Sequence, residues 1–197
     1  MFISFEGLDG SGKTTQAAML ADALELEGLT VVRVREPGGT PTGERVRELL
    51  LDPDATIGSA AEALLYAAAR AQLVDDVIRP ALERGETVVA DRFIDSSLAY
   101  QGVARGLGLD EVFAVNELAT GGVMPHVTIL LELPPDEAAS RRGKTPDRIE
   151  SEGRGFHAAV AEGFADAAAR FPARIHTVDA SGPPRAVLAR VREVIGL

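Results

Sequence analysis

Gly7-Leu8-Asp9-Gly10-Ser11-Gly12-Lys13-Thr14 carries the plainest chemistry in this sequence. The pattern GxxxxGK followed by a hydroxyl residue suits a polyphosphate ligand. Glycines let the backbone wrap closely around phosphate oxygens with N–H groups turned inward. A helix beginning at the lysine adds the positive end of its dipole. Lys13 would reach the outer phosphates, and the Thr14 hydroxyl would bind Mg²⁺. Gly7 through Thr15 are therefore read as one nucleoside triphosphate cradle. The chain has only two lysines, Lys13 and Lys144, against 18 arginines, so an ammonium at position 13 stands out.

Three further segments could build an acceptor site. Arg35-Glu36-Pro37-Gly38-Gly39-Thr40 follows a strand-like run, and an arginine at a strand end can hold a phosphate bidentately. A Pro-Gly-Gly turn with a solvated arginine would look the same. Tyr66 and Arg70 are four apart and share a helix face, where a ring and a guanidinium could stack on a base and bond its edge. A core tyrosine beside a surface arginine has that spacing too. Asp91-Arg92 closes a third apolar run, the place where P-loop enzymes keep the acid associated with Mg²⁺.

The elements that must position these residues alternate along the chain. Strand-like runs are expected at Phe2–Glu6, Val31–Val34, Thr87–Ala90, Val127–Leu133 and Arg174–Val178. They are near-continuous Val, Ile and Leu, as in parallel strands covered on both faces. Helical patterns fall between them: Thr14–Glu27, Thr42–Leu51, Ser59–Leu82, Asp95–Gln101, Asp110–Thr120, Asp136–Arg142, Gly155–Arg170 and Pro184–Ile195. The expectation is an α/β fold: a five-stranded parallel sheet with helices on both faces, of the P-loop NTPase type, in one domain over 1–197. The charged stretch at about 141–155 reads as a mobile lid carrying Arg141, Arg142, Lys144 and Arg148.

Composition narrows the classes. There is no cysteine, and His126, His157 and His176 are far apart, which argues against disulfides and a zinc site. The net charge of −10 argues against a nucleic-acid partner while leaving room for a local basic pocket. No signal peptide or membrane-length apolar stretch is seen, so a cytoplasmic protein without a membrane partner is expected. Guanine-specific GTPases carry NKxD, whereas the sole asparagine, Asn116, precedes Glu117.

Together FEGLDGSGKTTQ, REPGGT, DRFIDSSLAYQG, DRIE at Asp147–Glu150 and VDAS at Val178–Ser181 resemble the thymidylate kinase family over nearly the whole chain. The resemblance implies transfer of the ATP γ-phosphoryl group to dTMP in dTTP biosynthesis, with Mg²⁺, by a homodimer. It also implies residue roles. Arg35 and Arg92 hold the dTMP phosphate, Tyr66 stacks on thymine and Arg70 bonds a thymine carbonyl. Ser97 and Gln101 line the base pocket. Asp9 contacts the sugar 3′-hydroxyl, Tyr100 crowds the 2′ position, and VDAS lies near adenine. Lys13, Arg92, Asp9 and the lid arginines Arg141, Arg142 and Arg148 form the catalytic set; Thr14 and Asp91 serve the metal. Gly10 places no charge inside the loop, as in the bacterial arrangement, so the lid must supply one. Which lid residue does so stays open. One departure is Ala159-Val160-Ala161-Glu162-Gly163-Phe164, where members often have a segment like RVREGY. Another nucleoside monophosphate or deoxynucleoside kinase, or a regulator without turnover, remains as an alternative.

Overall fold

The computed structural model describes residues 1–141 and 146–197. Arg142 and Lys144, expected in the lid, lie outside the described residues. Strands β1 (Phe2–Glu6), β2 (Val31–Arg35), β3 (Thr87–Asp91), β4 (Val127–Glu132) and β5 (Ile175–Asp179) form one parallel sheet in the order β2-β3-β1-β4-β5. Between and after them run helices α1 (Lys13–Leu26), α2 (Pro41–Leu51), α3 (Ser59–Leu73), α4 (Arg79–Glu83), α5 (Ile94–Ser97), α6 (Leu109–Thr120), α7 (Pro135–Ser140), α8 (Arg154–Arg170) and α9 (Pro184–Ile195). The expected α/β class and all five expected strands are present, with boundaries moved by a residue at most.

The alternation of side chains in β1 divides the core. Ile3 and Phe5 point to one face, with Leu20 and Leu24 of α1 and Val187 and Val191 of α9. Phe2 points to the other, with Leu73, Ile78, Val88 and Phe93. Each fully buried Leu, Ile or Phe is worth about 1.5–3 kcal/mol against exposure. Ser4 and Glu6, on the face of Phe2, are buried but bonded: Ser4 Oγ lies 2.8 Å from Thr128 Oγ1, and Glu6 accepts from Phe93 N at 2.7 Å.

Two expected helices are interrupted by π-helical turns. The run 59–82 widens at Val74–Ile78, just before Pro80. Proline has no N–H and its ring crowds the carbonyl four residues back, so a wider turn relieves the clash. The second lies at Leu98–Ala104, directly against α8. There Gly163 permits a close crossing: a Cβ at that position would stand 2.7 Å from Ala99 Cα.

β1 lies between β3 and β4, so the loop after β1 emerges where the chain's crossovers change direction. Open α/β sheets bind ligands at such points. In register, Asp91 pairs with Phe5 of β1 on one side and Arg35 of β2 on the other, which aligns three candidate segments at one end of the sheet.

Candidate active site

A cleft of about 730 Å³ opens over the carboxyl ends of the strands. Its floor is the loop between β1 and α1. Gly7, Gly10 and Gly12 adopt positive φ (133°, 89° and 97°), which side chains rarely tolerate. At Gly10 space alone also demands glycine, since a Cβ would lie 2.1 Å from the Ala138 carbonyl oxygen of α7. Asp9, Gly10, Ser11, Gly12, Lys13, Thr14 and Thr15 line the cleft; Gly7 and Leu8 sit behind it. Ser11 Oγ is buried and takes no hydrogen bond among the described residues, as suits a group facing a ligand.

Lys13 is 6% exposed and donates to the Gly7 carbonyl at 3.0 Å and the Leu8 carbonyl at 2.8 Å, with Asp9 Oδ1 at 3.7 Å. Burial, reinforced by the nearby Arg92 charge, brings its ammonium down to about 8. Thr14 Oγ1 donates to Asp91 Oδ2 at 2.5 Å, so the hydroxyl and the carboxylate expected to serve a metal stand together.

Arg92 adopts φ 72°, an uncommon conformation for a side-chain-bearing residue. It turns the guanidinium back over the loop. There it donates to Asp9, to Ser96 Oγ at 2.7 Å and to Tyr100 Oη at 3.3 Å, lying 5.2 Å above the Tyr100 ring centre. Tyr100 Oη in turn donates to Asp9 Oδ2 at 3.1 Å. Burial opposes the charge on Asp9, but Arg92 and Lys13 outweigh it and hold the carboxyl well below its ordinary range. Ser96 also donates to Glu6, whose carboxyl burial and the neighbouring Asp95 push up to about 8.

The opposite wall comes from β2, α2, α3 and the π-helical turn at 98–104. Arg35, at the end of β2, is half exposed and pairs with Glu44 at 3.1 Å. Tyr66 lines the cleft, its phenol pushed up by burial. Arg70 also reaches the cleft but is only 1% exposed. Its guanidinium donates to both oxygens of Glu36, to the Phe93 carbonyl at 3.1 Å, to Ser97 Oγ at 3.0 Å and to Asn116. Gln101 Nε2 donates to Glu62 Oε1 at 2.9 Å.

The segment expected as a lid divides. Arg141, after α7, lines the cleft and pairs with Glu137 at 2.6 Å. Arg148 is buried away from the cleft lining, donating to the Leu50 carbonyl at 2.8 Å and to Glu62 at 2.7 Å. It sits in a turn capped by Asp147, whose Oδ1 accepts from the N–H groups of Ile149 and Glu150 at 2.9 Å each. Position 148 is thus anchored to the body, whereas a mobile lid with Arg148 in its catalytic set was expected.

Sequence reading passed over Arg47 of α2, which lines the cleft beside Arg35 and donates to the Pro37 carbonyl at 2.8 Å. Its neighbours Glu44 and Glu48 made it look like part of a solvated helix face, and no local signal separates the two cases. Ala180 and Gly182, in and after VDAS, line the far end of the cleft. In a chain of net charge −10, Lys13, Arg35, Arg47, Arg70, Arg92 and Arg141 converge on one cavity, the basic pocket that the composition left room for.

This geometry has close relatives. The family model for thymidylate kinase matches residues 5–191. The chain is 52% identical over 179 residues to a protein named thymidylate kinase from Caldanaerobacter subterraneus subsp. tengcongensis, covering 90% of this chain and 86% of that one. It is 51% identical over 186 residues to one of the same name from Deinococcus radiodurans, covering 93% and 90%. The crystal structure of thymidylate kinase from Ehrlichia chaffeensis matches with a TM-score of 0.80 and 36% identity, over 99% of this chain and 98% of that one. A match running from the first strand to the last helix, in sequence and in shape, settles the kinship: this chain belongs to the thymidylate kinase family.

Proposed function

We propose that the cleft carries out direct in-line transfer of the ATP γ-phosphoryl group to the phosphate of dTMP, giving ADP and dTDP. The observation that carries this reading is that a glycine loop and a clasped guanidinium line one cavity. The glycine loop with Lys13 lies on one side, and Arg92, clasped by Asp9 and Tyr100, lies at its edge. Phosphoryl transfer asks for positioning and charge stabilisation rather than covalent chemistry, and a cavity with six cationic side chains supports that.

The donor binds with its phosphates along Gly7–Thr15 and its adenine towards Ala180. Its ammonium lets Lys13 offset charge that develops between the two nucleotides. The acceptor phosphate is held by Arg35 and Arg92, joined by Arg47. Its base lies between Tyr66 and the edge formed by Arg70, Ser97 and Gln101. Asp9 meets the sugar 3′-hydroxyl, and Tyr100 fills the space a 2′-hydroxyl would need. The acceptor oxygen is already anionic, so no strong general base is required. Arg141 is the lid cation, among the described residues, that faces the transferred group. Arg148 we reassign from charge stabilisation to holding the segment after the lid.

Mg²⁺ is the proposed cofactor. Thr14 Oγ1 and Asp91 Oδ2 are hard oxygen donors side by side, and no group of three or more His, Cys, Asp or Glu among the described residues could hold a metal unaided. That suits an ion taking most of its ligands from phosphates and water. Thr14 and Asp91 would hold the ion, which would supply positive charge to the phosphate oxygens of the donor.

No helix among the described residues is long and apolar enough to cross a membrane. We place the protein in the cytoplasm with its nucleotide substrates, in dTTP biosynthesis, and as a homodimer, the assembly its family resemblance implies. The test is ADP release with ATP, Mg²⁺ and a panel of nucleoside monophosphates. Turnover with dTMP, little with dCMP or UMP and none without acceptor is expected. A preference for dCMP or for a free nucleoside would sink the reading, and silence with every acceptor despite ATP binding would mean a regulator or a lid disabled by Ala159 and Ala161.

A further inference from the structure

Glu62, Tyr66 and Arg70 stand at four-residue intervals on α3 and so form one stripe facing the cleft wall. Tyr66 and Arg70 have places in the reading above; Glu62 has none. It has no exposed surface, and an acid buried this fully needs an account. Its carboxylate accepts from Gln101 Nε2 at 2.9 Å, from Arg105 Nε at 3.1 Å and Nη2 at 3.2 Å, and from Arg148 Nη2 at 2.7 Å. Burial opposes the charge, but the bonds from Arg105, Gln101 and Arg148 outweigh it and keep the carboxyl below its ordinary value.

An ionised carboxylate can only accept hydrogen bonds. The Gln101 amide beside it therefore has one orientation, with its NH₂ towards Glu62. Its carbonyl oxygen must then point the other way. Gln101, 2% exposed, lines the cleft, and no hydrogen bond reaches its Oε1 among the described residues. An amide alone could flip to suit donor or acceptor. An amide locked by a charged neighbour cannot.

We propose that Glu62 is a specificity-determining positioning residue: by fixing the Gln101 amide it presents a hydrogen-bond acceptor to the base, selecting rings that carry N–H at that edge over rings that carry a lone pair. Thymine has N3–H there and cytosine a bare N3. The inference rests on the reading that Gln101 faces the base. Arg105 and Arg148 keep the carboxylate charged, and Arg105 is itself held by Glu152 at 2.6 Å and by the Phe156 ring at 4.4 Å.

The test compares kcat/KM for dTMP and dCMP in the wild type, Glu62→Gln and Glu62→Asp. Glutamine can donate as well as accept, so it frees the Gln101 amide. The dTMP-to-dCMP ratio should narrow roughly tenfold or more through the acceptor KM, with the KM for ATP unchanged. Aspartate still only accepts and should keep most of the discrimination. An equal loss with both substrates would show Glu62 to be structural only and overturn the proposal. If Glu62→Gln does not fold, binding of N3-methyl dTMP to the wild type decides. Binding weaker than dTMP by tenfold or more is expected, and equal binding overturns it. A wild type inactive on dTMP would instead remove the proposed function, so the two failures are distinct.

Discussion

Replacing Arg70 by methionine should unfold the protein more readily than any single change on the cleft rim. The substitution keeps most of the aliphatic volume and deletes the cation. Glu36, with a side chain 4% exposed, then has no counter-charge, and Ser97, Asn116 and the Phe93 carbonyl each lose a donor. Breaking a buried ion pair by removing one partner costs about 3–5 kcal/mol, because the other charge stays buried. For a chain of this size that lowers Tm by about 6–20 °C. Burial already raises the Glu36 carboxyl above its ordinary 4.5 even against the pull of Arg70, and without Arg70 it rises further. A carboxyl whose folded pKa is raised favours folding fully below the unfolded value and loses that contribution as pH rises through the folded value. The penalty of Arg70→Met should therefore be larger near pH 8 than near pH 5, because a raised carboxyl comes closer to protonation as pH falls. Urea unfolding of wild type and variant at about those two pH values measures it. Adding Glu36→Gln should recover a large part of the loss, since the leftover charge is gone. A loss below about 1 kcal/mol, the same at both pH values, would refute the view that the charge of Glu36 is what Arg70 compensates.

Three other outcomes are expected. Arg92→Ala should lower kcat/KM for dTMP roughly a hundredfold, by removing two charge-assisted bonds, while the Kd for ATP by calorimetry changes little; equal loss of both would move the acceptor site elsewhere. ATP affinity should fall as pH rises through about 8, because Lys13 begins to lose its proton there in the free protein. Titrations across that range check this, and a Kd flat from neutral pH to well above 8 would mean that Lys13 is not the group pairing with phosphate. Gly10→Ala should destabilise by about 1–3 kcal/mol and weaken ATP binding, since the new methyl meets the rigid Ala138 carbonyl and sits at a positive φ; chemical denaturation that shows no change would discount the clash.

What was legible in the sequence was what local chain chemistry dictates. The phosphate cradle is contiguous, and its glycines, lysine and threonine act within one turn of one another, so spacing suffices. The five strands were legible because parallel strands buried on both faces must be apolar throughout. Placing Arg35 and Arg92 at strand ends then followed from the general location of ligands in such sheets. The Tyr66–Arg70 pair was visible as a helix face, but its setting was not. That Arg70 is sunk among Glu36, Ser97 and Asn116 depends on partners up to 46 residues away. The strand order β2-β3-β1-β4-β5, which brings Arg35 and Asp91 into register, leaves no mark in any one segment. Arg148 read as a mobile lid charge because its neighbours are polar, and only the packing of its turn against α2 and α3 buries it. Glu62 is the extreme case: one carboxylate that collects Gln101 and Arg105 from one distant segment and Arg148 from another. Periodicity records which way a side chain faces along its own element, whereas the partner it meets there is decided by how the elements cross, and that only the tertiary structure sets.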